Sequence, residues 1–176
     1  MLARVREFVR RAVRGEPCGL VLWSQFYGCG KTHLARAAER ALSAIPKPTT
    51  WGGTTVSAHF LKVSQFFTAI TDCYAKDEPV QPYITMLAKY PALIMDDYEI
   101  DGFKNIEWTQ RQFNMLLDRI YESTPLMLTT NLSPGGLIAA IGGRNWDRLH
   151  QMTGDDGIVD MTAIPSYRTR KATKWN

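Results

Sequence analysis

A stretch of fourteen residues, SQFYGCGKTHLARA at positions 24–37, constrains the fold more than any other part of the chain. It overlaps the end of an apolar run, GLVLWSQ (19–25), which predicts a buried strand, and it leads into a helix predicted over about 31–45. A strand, a glycine-rich loop and a helix in this order are typical of a parallel α/β sheet whose loop binds an anion. The chain is therefore predicted to place a phosphate-binding loop directly after its first strand.

The loop matches most of the phosphate-binding motif G-x-x-x-x-G-K-[ST], and each matching residue has a mechanical role. Gly28 and Gly30 let the backbone curl so that its N–H groups point at phosphate oxygens. Lys31 is predicted to reach the outer phosphates, and Thr32 to offer its hydroxyl to Mg²⁺. The predicted nucleotide-binding residues are Tyr27, Gly28, Cys29, Gly30, Lys31, Thr32 and His33.

Three positions of this loop allow more than one interpretation. Gln25 stands where the motif has its first glycine, and it would cost about 1 kcal/mol if its backbone had to be left-handed. Cys29 is interpreted as a small filler of the loop, with an oxidation-sensitive thiol as the alternative. His33 is interpreted as a packing or hydrogen-bonding residue of the first helical turn, with direct ligand contact as the alternative. We predict a working nucleotide site despite Gln25.

Apolar runs and helical patterns alternate along the rest of the chain. Strands are predicted at 55–63, 91–97, 125–131 and 156–163, and helices at 64–75 with Ser64 as N-cap, at 106–123, and after Ser133. Apolar strands separated by helices indicate a mostly parallel sheet that is covered on both faces. One α/β domain is expected, because 176 residues are enough for one full core but do not promise two.

Positive charge is concentrated at the two ends of the chain. Residues 1–14 and residues 168–176 each carry a net charge of +4, which leaves −4 on residues 15–167. The basic ends could contact phosphate groups, or they could be ordinary solvated charge. An amphipathic helix with one basic face is predicted over residues 1–15 from apolar residues at helical spacing, which are Leu2, Val5, Val9, Ala12 and Val13.

The compartment is predicted from apolar runs and cysteines. No run reaches the eighteen apolar residues of a membrane span, and the N-terminus lacks the apolar core of a signal peptide. The three cysteines lack a C-x-x-C spacing, and an odd number does not favour a disulfide framework. We expect a cytoplasmic protein with reduced thiols and no membrane partner.

Two adjacent aspartates, Asp96 and Asp97, close the apolar run ALIM. Two acids at a strand end also occur in ordinary turns, but the phosphate loop about 65 residues upstream favours a Walker B pair. Asp96 is predicted to hold Mg²⁺ through water, and Asp97 to polarise the attacking water. Asn131, at the end of PLMLTTN, could hydrogen-bond that water or the terminal phosphate.

Several segments taken together resemble a known family. They are GKTHLARA, ALIMDD, EWTQRQFNMLLDRIYES, PLMLTTNLSP, GGRNWDRL and SYRTR, within about residues 16–170. The set resembles the AAA+ ATPase domain of bacterial and phage replicative helicase loaders of the DnaC/DnaI kind, and of the related IstB transposition ATPases. The resemblance implies a P-loop αβα sandwich with a five-stranded parallel sheet that binds ATP and Mg²⁺, assembles into a ring or spiral, and contacts single-stranded DNA.

The resemblance also implies roles for single residues. Arg148 falls where the family has an arginine finger, which completes the ATP site of a neighbouring subunit, and Arg144 is the alternative four residues earlier. Arg168 in SYRTR matches the sensor 2 arginine, and Asn131 matches sensor 1. With Asp97, these residues form the predicted catalytic set.

The resemblance implies a DNA-contacting element in the region of SQFFTAITDCYAKDE (64–78). Lys62, Gln65 and Lys76 are candidate DNA contacts there, although an ordinary surface helix explains the segment nearly as well. A single ATPase domain is predicted over residues 1–176, with its core at 16–165 and a basic tail at 166–176. Family members carry an N-terminal partner-binding domain, which we expect to be absent because about fifteen residues precede the first strand.

The predicted function is ATP hydrolysis by an AAA+ protein that acts on single-stranded DNA and loads or remodels a replicative helicase. A transposition ATPase with the same core is the nearest alternative, and it would prefer duplex DNA. A P-loop kinase is a second alternative, in which Arg148 and Asn131 would have no role. A nucleotide-gated binding protein with negligible turnover is the third.

Overall fold

Five parallel strands form the centre of the molecule. The computed structural model describes residues 1–44, 50–51, 54–55, 58–99 and 105–168. The strands of the central sheet are β1 (Gly19–Trp23), β4 (His59–Lys62), β5 (Leu93–Tyr98), β6 (Leu126–Thr130) and β7 (Ile158–Asp160), and β2 (Thr50–Trp51) and β3 (Thr54–Thr55) form a separate antiparallel pair. The helices are α1 (Leu2–Val13), α2 (Lys31–Ser43), α3 (Val63–Ala75), α4 (Gln81–Leu87), α5 (Ile106–Ile120), α6 (Pro134–Ile141) and α7 (Gly143–Thr153).

The strand order β4-β5-β6-β1-β7 determines where the predicted site residues meet. Every pairing in this sheet is parallel, so the carboxyl ends of all five strands lie at one edge. β1 lies between β6 and β7, which places the phosphate loop beside the ends of β6 and β7. Ligands of open α/β sheets bind at this edge, because helix N-termini and strand-end loops converge there.

Helices cover both faces of the sheet, since alternate strand residues point to opposite sides. Leu20 and Leu22 face α1 and α2, whereas Val21 faces the core on the opposite side. That second core also holds Phe66 of α3 and Phe113 of α5, both fully buried. Burial of each large apolar side chain contributes about 1.5–3 kcal/mol. The predicted αβα layering is confirmed.

The predicted N-terminal amphipathic helix is confirmed as α1. Val5, Phe8 and Ala12 are buried, whereas Leu2, predicted on the apolar face, is 53% exposed at the first turn. Most arginines of this segment have acidic partners, each pair contributing at most about 1 kcal/mol at an exposed position. The pairs are Arg4–Asp156, Arg10–Glu7, Arg11–Glu16 and Arg14–Glu16.

Two predictions near β4 are wrong. The strand predicted over 55–63 is shorter, because Thr54–Thr55 pairs with Thr50–Trp51 and only His59–Lys62 joins the main sheet; residues 56–57 lie outside the described part. Ser64 is not the N-cap of α3, since the helix already begins at Val63. The side-chain oxygen of Gln65 accepts the backbone N–H of Lys62 at 2.9 Å, which fixes the helix start there.

No helix in the described ranges combines the length and the apolar character needed to cross a membrane.

Candidate nucleotide site

A cleft of about 950 Å³ opens at the carboxyl edge of the sheet, above β1, β5 and β6. Its lining includes every predicted nucleotide-binding residue, from Tyr27 to His33, together with Asp97, Asn131 and Arg168. Glu99 and Tyr167 also line the cleft, although the sequence did not predict them. The fold thus brings together residues from four widely separated parts of the chain.

The phosphate loop has the backbone conformation that its glycines predicted. Gly28 and Gly30 have φ of 79° and 97°, in the left-handed region, and Gly30 is the N-cap of α2. Gln25 is different, since Asp77 and Asp97 are the non-glycine residues with positive φ in the described ranges. The cost considered for a left-handed Gln25 therefore does not arise.

The Lys31 side chain is held by backbone groups of the phosphate loop. Its Nζ donates to the carbonyl oxygens of Ser24 and Phe26 at 3.2 Å each, and it lies 3.6 Å from the Sγ of Cys29. The side chain is 8% exposed, so the ammonium depends on these carbonyls for its hydrogen bonds. A bound phosphate would have to replace them as the partner of Lys31.

The two aspartates of β5 point to different places. Asp96 is 2% exposed and accepts a hydrogen bond of 2.6 Å from the hydroxyl of Thr129, in the neighbouring strand β6. The pairing of β5 with β6 is irregular between Met95 and Tyr98, and Asp97 has a φ of 68°. The backbone N–H of Asp97 donates to the same Thr129 hydroxyl at 2.9 Å. Asp97 lines the cleft, whereas Asp96 is buried and bonded to Thr129.

Asp97, Glu99 and Asn131 form a polar group on the cleft wall. The Nδ2 of Asn131 donates to the Glu99 carboxylate and lies 3.5 Å from an oxygen of Asp97. Partial burial and the negative charge of Glu99 raise the pKa of Asp97, while the charges of Lys62 and Lys31 act in the opposite direction. The signal that could have identified Glu99 is its place in the sequence: it is an acidic residue directly after the end of β5, at the edge of the sheet where the two aspartates also lie.

Hard oxygen donors for Mg²⁺ are present in the same cleft. The Thr32 hydroxyl lies at the start of α2 and the Asp97 carboxylate at the end of β5. Mg²⁺ in phosphate sites prefers a few such oxygens together with water and substrate phosphates. The residues therefore fit the ion, and the assignment of Asp96 as a ligand through water stays a prediction.

A segment after β7 closes over the phosphate loop. The backbone N–H of Tyr167 donates to the carbonyl oxygen of Gly28 at 2.9 Å, and Arg168 lines the cleft beside it. Ser166 packs against Gly28 so closely that a Cβ there would collide with its hydroxyl. The residue chosen from sequence as sensor 2, Arg168, is thus adjacent to the loop within the same chain.

The Gly28→Ala variant tests whether close packing against Ser166 opposes a side chain at this position, in addition to the strain of a left-handed backbone. Both the left-handed φ and the collision with Ser166 oppose a Cβ, so we expect a loss of unfolding free energy of about 2 kcal/mol and weaker nucleotide binding. Gly15→Ala is the matched control, because its φ is also positive but no atom lies within 4 Å of the added Cβ. Equal melting temperatures and equal nucleotide affinities for the two variants would contradict the docking of Ser166.

The three candidate DNA contacts do not all lie together, since only Lys62 and Gln65 are neighbours. Lys62 and Lys76 flank the two ends of α3, about 20 Å apart along the helix axis. The side-chain oxygen of Gln65 is occupied by the N–H of Lys62. Lys62 is close enough to the nucleotide cleft for its charge to act on Asp97. Contact of these residues with DNA stays a prediction.

Arg148 lies on α7 and is not among the described residues that line the cleft. It forms an ion pair with Asp118 of α5 and donates to the Oδ1 of Asn114 at 2.9 Å. Its guanidinium lies 5.5 Å from the ring centre of Tyr121. Arg144, the alternative finger, is exposed one turn earlier on the same helix. The arginine-finger role of either residue stays a prediction.

Comparisons with known proteins show which solved structures have a fold similar to that of this chain. No protein-family model matches the sequence, and the search of curated proteins found no match. The crystal structure of the DnaC helicase loader has a TM-score of 0.70 and 16% identity over 90% of this chain and 86% of that chain. The crystal structure of DnaI has a TM-score of 0.67 and 20% identity over 90% of this chain and 83% of that chain. A replication initiator DnaA bound to AMPPCP and single-stranded DNA gives 0.67 and 19% over 96% of this chain and 50% of that chain.

These similarities, each at or below 20% identity, concern the fold. The chain has the P-loop αβα fold of the AAA+ domains of helicase loaders and initiators, with a five-stranded all-parallel sheet. Both the predicted fold class and the resemblance to helicase-loader AAA+ domains are confirmed at this level.

Proposed function

We propose that this chain binds and hydrolyses ATP as an AAA+ protein of DNA replication and acts on single-stranded DNA. One observation carries the proposal: a single cleft holds a glycine loop with Lys31 on one wall, Asp97 and Asn131 on another, and Arg168 at its rim. A structural turn with an incidental Lys-Thr pair needs none of these other residues.

The loop supplies the binding of the phosphates. Gly28 and Gly30 turn the backbone so that its N–H groups face the cleft, and the positive end of α2 adds to the attraction for an anion. Lys31 exchanges the carbonyls of Ser24 and Phe26 for phosphate oxygens, which carry far more negative charge. Arg168, adjacent to the loop, adds a second cation to the cleft.

Residues on the opposite wall act on the water that attacks the terminal phosphate. Asp97 polarises this water, and Asn131 orients it by hydrogen bonding. Thr32 and the aspartates of β5 would hold Mg²⁺, and the ion would supply positive charge against the phosphates. Arg148 completes the site of a neighbouring copy in a ring or spiral, so an isolated chain turns over slowly.

The partners we propose are single-stranded DNA and a replicative helicase. Support comes from the similarity of the fold to two helicase loaders and to an initiator solved with single-stranded DNA. The competing assignment is a transposition ATPase. A pull-down against the host's replicative helicase and transposase candidates distinguishes the two.

Phosphate release with and without DNA tests the proposed function. We expect turnover that increases with protein concentration and is stimulated by single-stranded DNA more than by duplex of the same sequence. Preference for the duplex would favour the transposition ATPase, and ATP binding without turnover would favour a nucleotide-gated binding protein. Transfer of phosphate to an acceptor other than water would indicate a kinase.

A further inference from the structure

The outer face of α1 is strongly basic, and three of its arginines form a row that we call the arginine stripe: Arg6, Arg10 and Arg14. We propose that the arginine stripe binds the phosphate backbone of single-stranded DNA. The inference rests on the proposed action on DNA and names the surface that receives the strand. That surface belongs to α1 and is separate from the nucleotide cleft.

The position of the stripe is fixed by the packing of the helix beneath it. Val5 and Phe8 are buried in the core that also holds residues of α2, so the opposite side of α1 must face solvent. Arg6, Arg10 and Arg14 recur every four residues, which places them on one side of the helix, about 6 Å apart along its axis. All three are exposed. The stripe therefore presents three guanidinium groups over about 12 Å of a rigid surface.

The positive charge of this face is only partly neutralised. Glu7 lies 3.4 Å from Arg10 and 4.0 Å from Arg14, and Arg14 also pairs with Glu16. Among the described residues, no carboxylate forms an ion pair with Arg6. Exposed ion pairs of this kind contribute little, so a phosphate group can replace the carboxylate of such a pair. The face can therefore accept a polyanion without loss of a buried interaction.

The type of basic residue also fits phosphate. Residues 2–14 carry five arginines and no lysine, and the planar guanidinium matches two phosphate oxygens at once. Two of the five hold the helix in place: Arg4 pairs with Asp156, and Arg11 donates to the carbonyl oxygen of Pro17 at 3.0 Å. The three of the stripe have no such link to another part of the fold that the structure describes. They are therefore available to a ligand.

The α3 segment is less suitable for a polyanion than α1. Residues 62–78 carry two lysines against three acidic residues, which gives a net charge of −1. Residues 2–14 carry five arginines against Glu7, which gives +4. Binding of nucleic acid depends first on positive charge that replaces counterions of the phosphates. The larger part of the attraction for DNA therefore comes from α1.

An anionic membrane is the competing partner for a basic amphipathic helix. Such a helix lies on a bilayer by inserting its apolar face among the lipids. The apolar face of α1 is already buried in the protein, and the exposed apolar residues at its start are Met1 and Leu2. Nucleic acid requires no insertion. Contacts to phosphates read no bases, so we expect the binding to be independent of base sequence.

Paired variants separate the stripe from a general effect of charge. Arg6→Gln/Arg10→Gln removes two charges and keeps good helix-forming residues, and Arg6→Lys/Arg10→Lys retains the charges. Arg111→Gln/Arg119→Gln is the matched control. It removes the same charge from exposed positions of α5, which packs on the opposite face of the sheet.

Fluorescence anisotropy measures binding of a labelled oligothymidylate over a series of salt concentrations. For Arg6→Gln/Arg10→Gln we expect affinity to fall on the order of tenfold at about 50 mM salt, and the slope of log K against log salt to decrease by about 1.4, or about 0.7 for each lost contact. The lysine pair should keep the slope, and the α5 pair should keep both affinity and slope. Phosphate release without DNA should be the same in all variants.

Unchanged affinity and slope in Arg6→Gln/Arg10→Gln would overturn the inference alone, since the unaltered chain would still bind DNA. Equal losses in the α5 pair would overturn it too, because the effect would then be one of net charge. A loss confined to duplex DNA of the same length, or tighter binding to phosphatidylserine vesicles than to the oligonucleotide, would also contradict it. No binding of the oligonucleotide by the unaltered chain would overturn the proposed action on DNA as well.

Discussion

Lys31→Ala should weaken ATP binding on the order of 100-fold, which corresponds to about 3 kcal/mol. The buried ammonium meets the outer phosphates as a full positive charge, and no other residue of the loop carries one. Because Lys31 also bonds to Ser24 and Phe26, the variant should lose some stability. Lys31→Met keeps most of the side-chain volume and should lose ATP affinity to the same extent. Calorimetry with Mg²⁺ measures the affinities.

Asp97→Asn provides the contrast to Lys31→Ala. Asparagine tolerates the left-handed backbone of position 97, so the loop end should keep its shape. We expect this variant to retain ATP binding and to lose most turnover. Lys76→Ala, which changes an exposed lysine beyond α3, should alter neither quantity. Equal ATP affinity in Lys31→Ala and the unaltered chain would refute the nucleotide site.

Arg148→Ala should bind ATP almost normally yet hydrolyse it on the order of 10³-fold more slowly at any protein concentration. The guanidinium lies outside the described lining of its own cleft, so its effect on chemistry requires a neighbouring copy. Mixing Arg148→Ala with Asp97→Asn should restore part of the activity, because some interfaces then combine an intact finger with an intact Asp97. Phosphate release across a concentration series measures both effects.

Two further variants distinguish catalysis from loss of the intramolecular ion pair. Asp118→Asn removes the pair but leaves Arg148 intact, so its stability should fall by at most about 1 kcal/mol while turnover persists. Arg144→Ala tests the alternative finger. Turnover per subunit that stays constant on dilution, with Arg148→Ala as active as the unaltered chain, would make a monomeric P-loop enzyme the better assignment.

Segments with a clear apolar pattern or a capping residue were predictable, and segments without such a local signal were not. α5 and β6 lie within the ranges predicted for them, and Ser133 caps α6 as expected, its hydroxyl accepting the N–H of Gly136. α4 has seven residues, too few for a helical period to be recognised in the sequence. The helix α7 begins with a glycine after another glycine, which weakens any local helix signal.

The sequence alone determined the parts of this protein that depend on local chemistry. Glycines with Lys31 after an apolar strand specify the phosphate loop, and adjacent aspartates after another strand specify a polar sheet edge. Only the tertiary structure decided which distant groups meet. The backbone of Tyr167 bonds to Gly28, Arg148 forms an ion pair with Asp118, and Asn131 donates to Glu99. These contacts depend on the path of the backbone, such as the turn at Asp97, and on the strand order, which brings together chain segments that no local pattern connects.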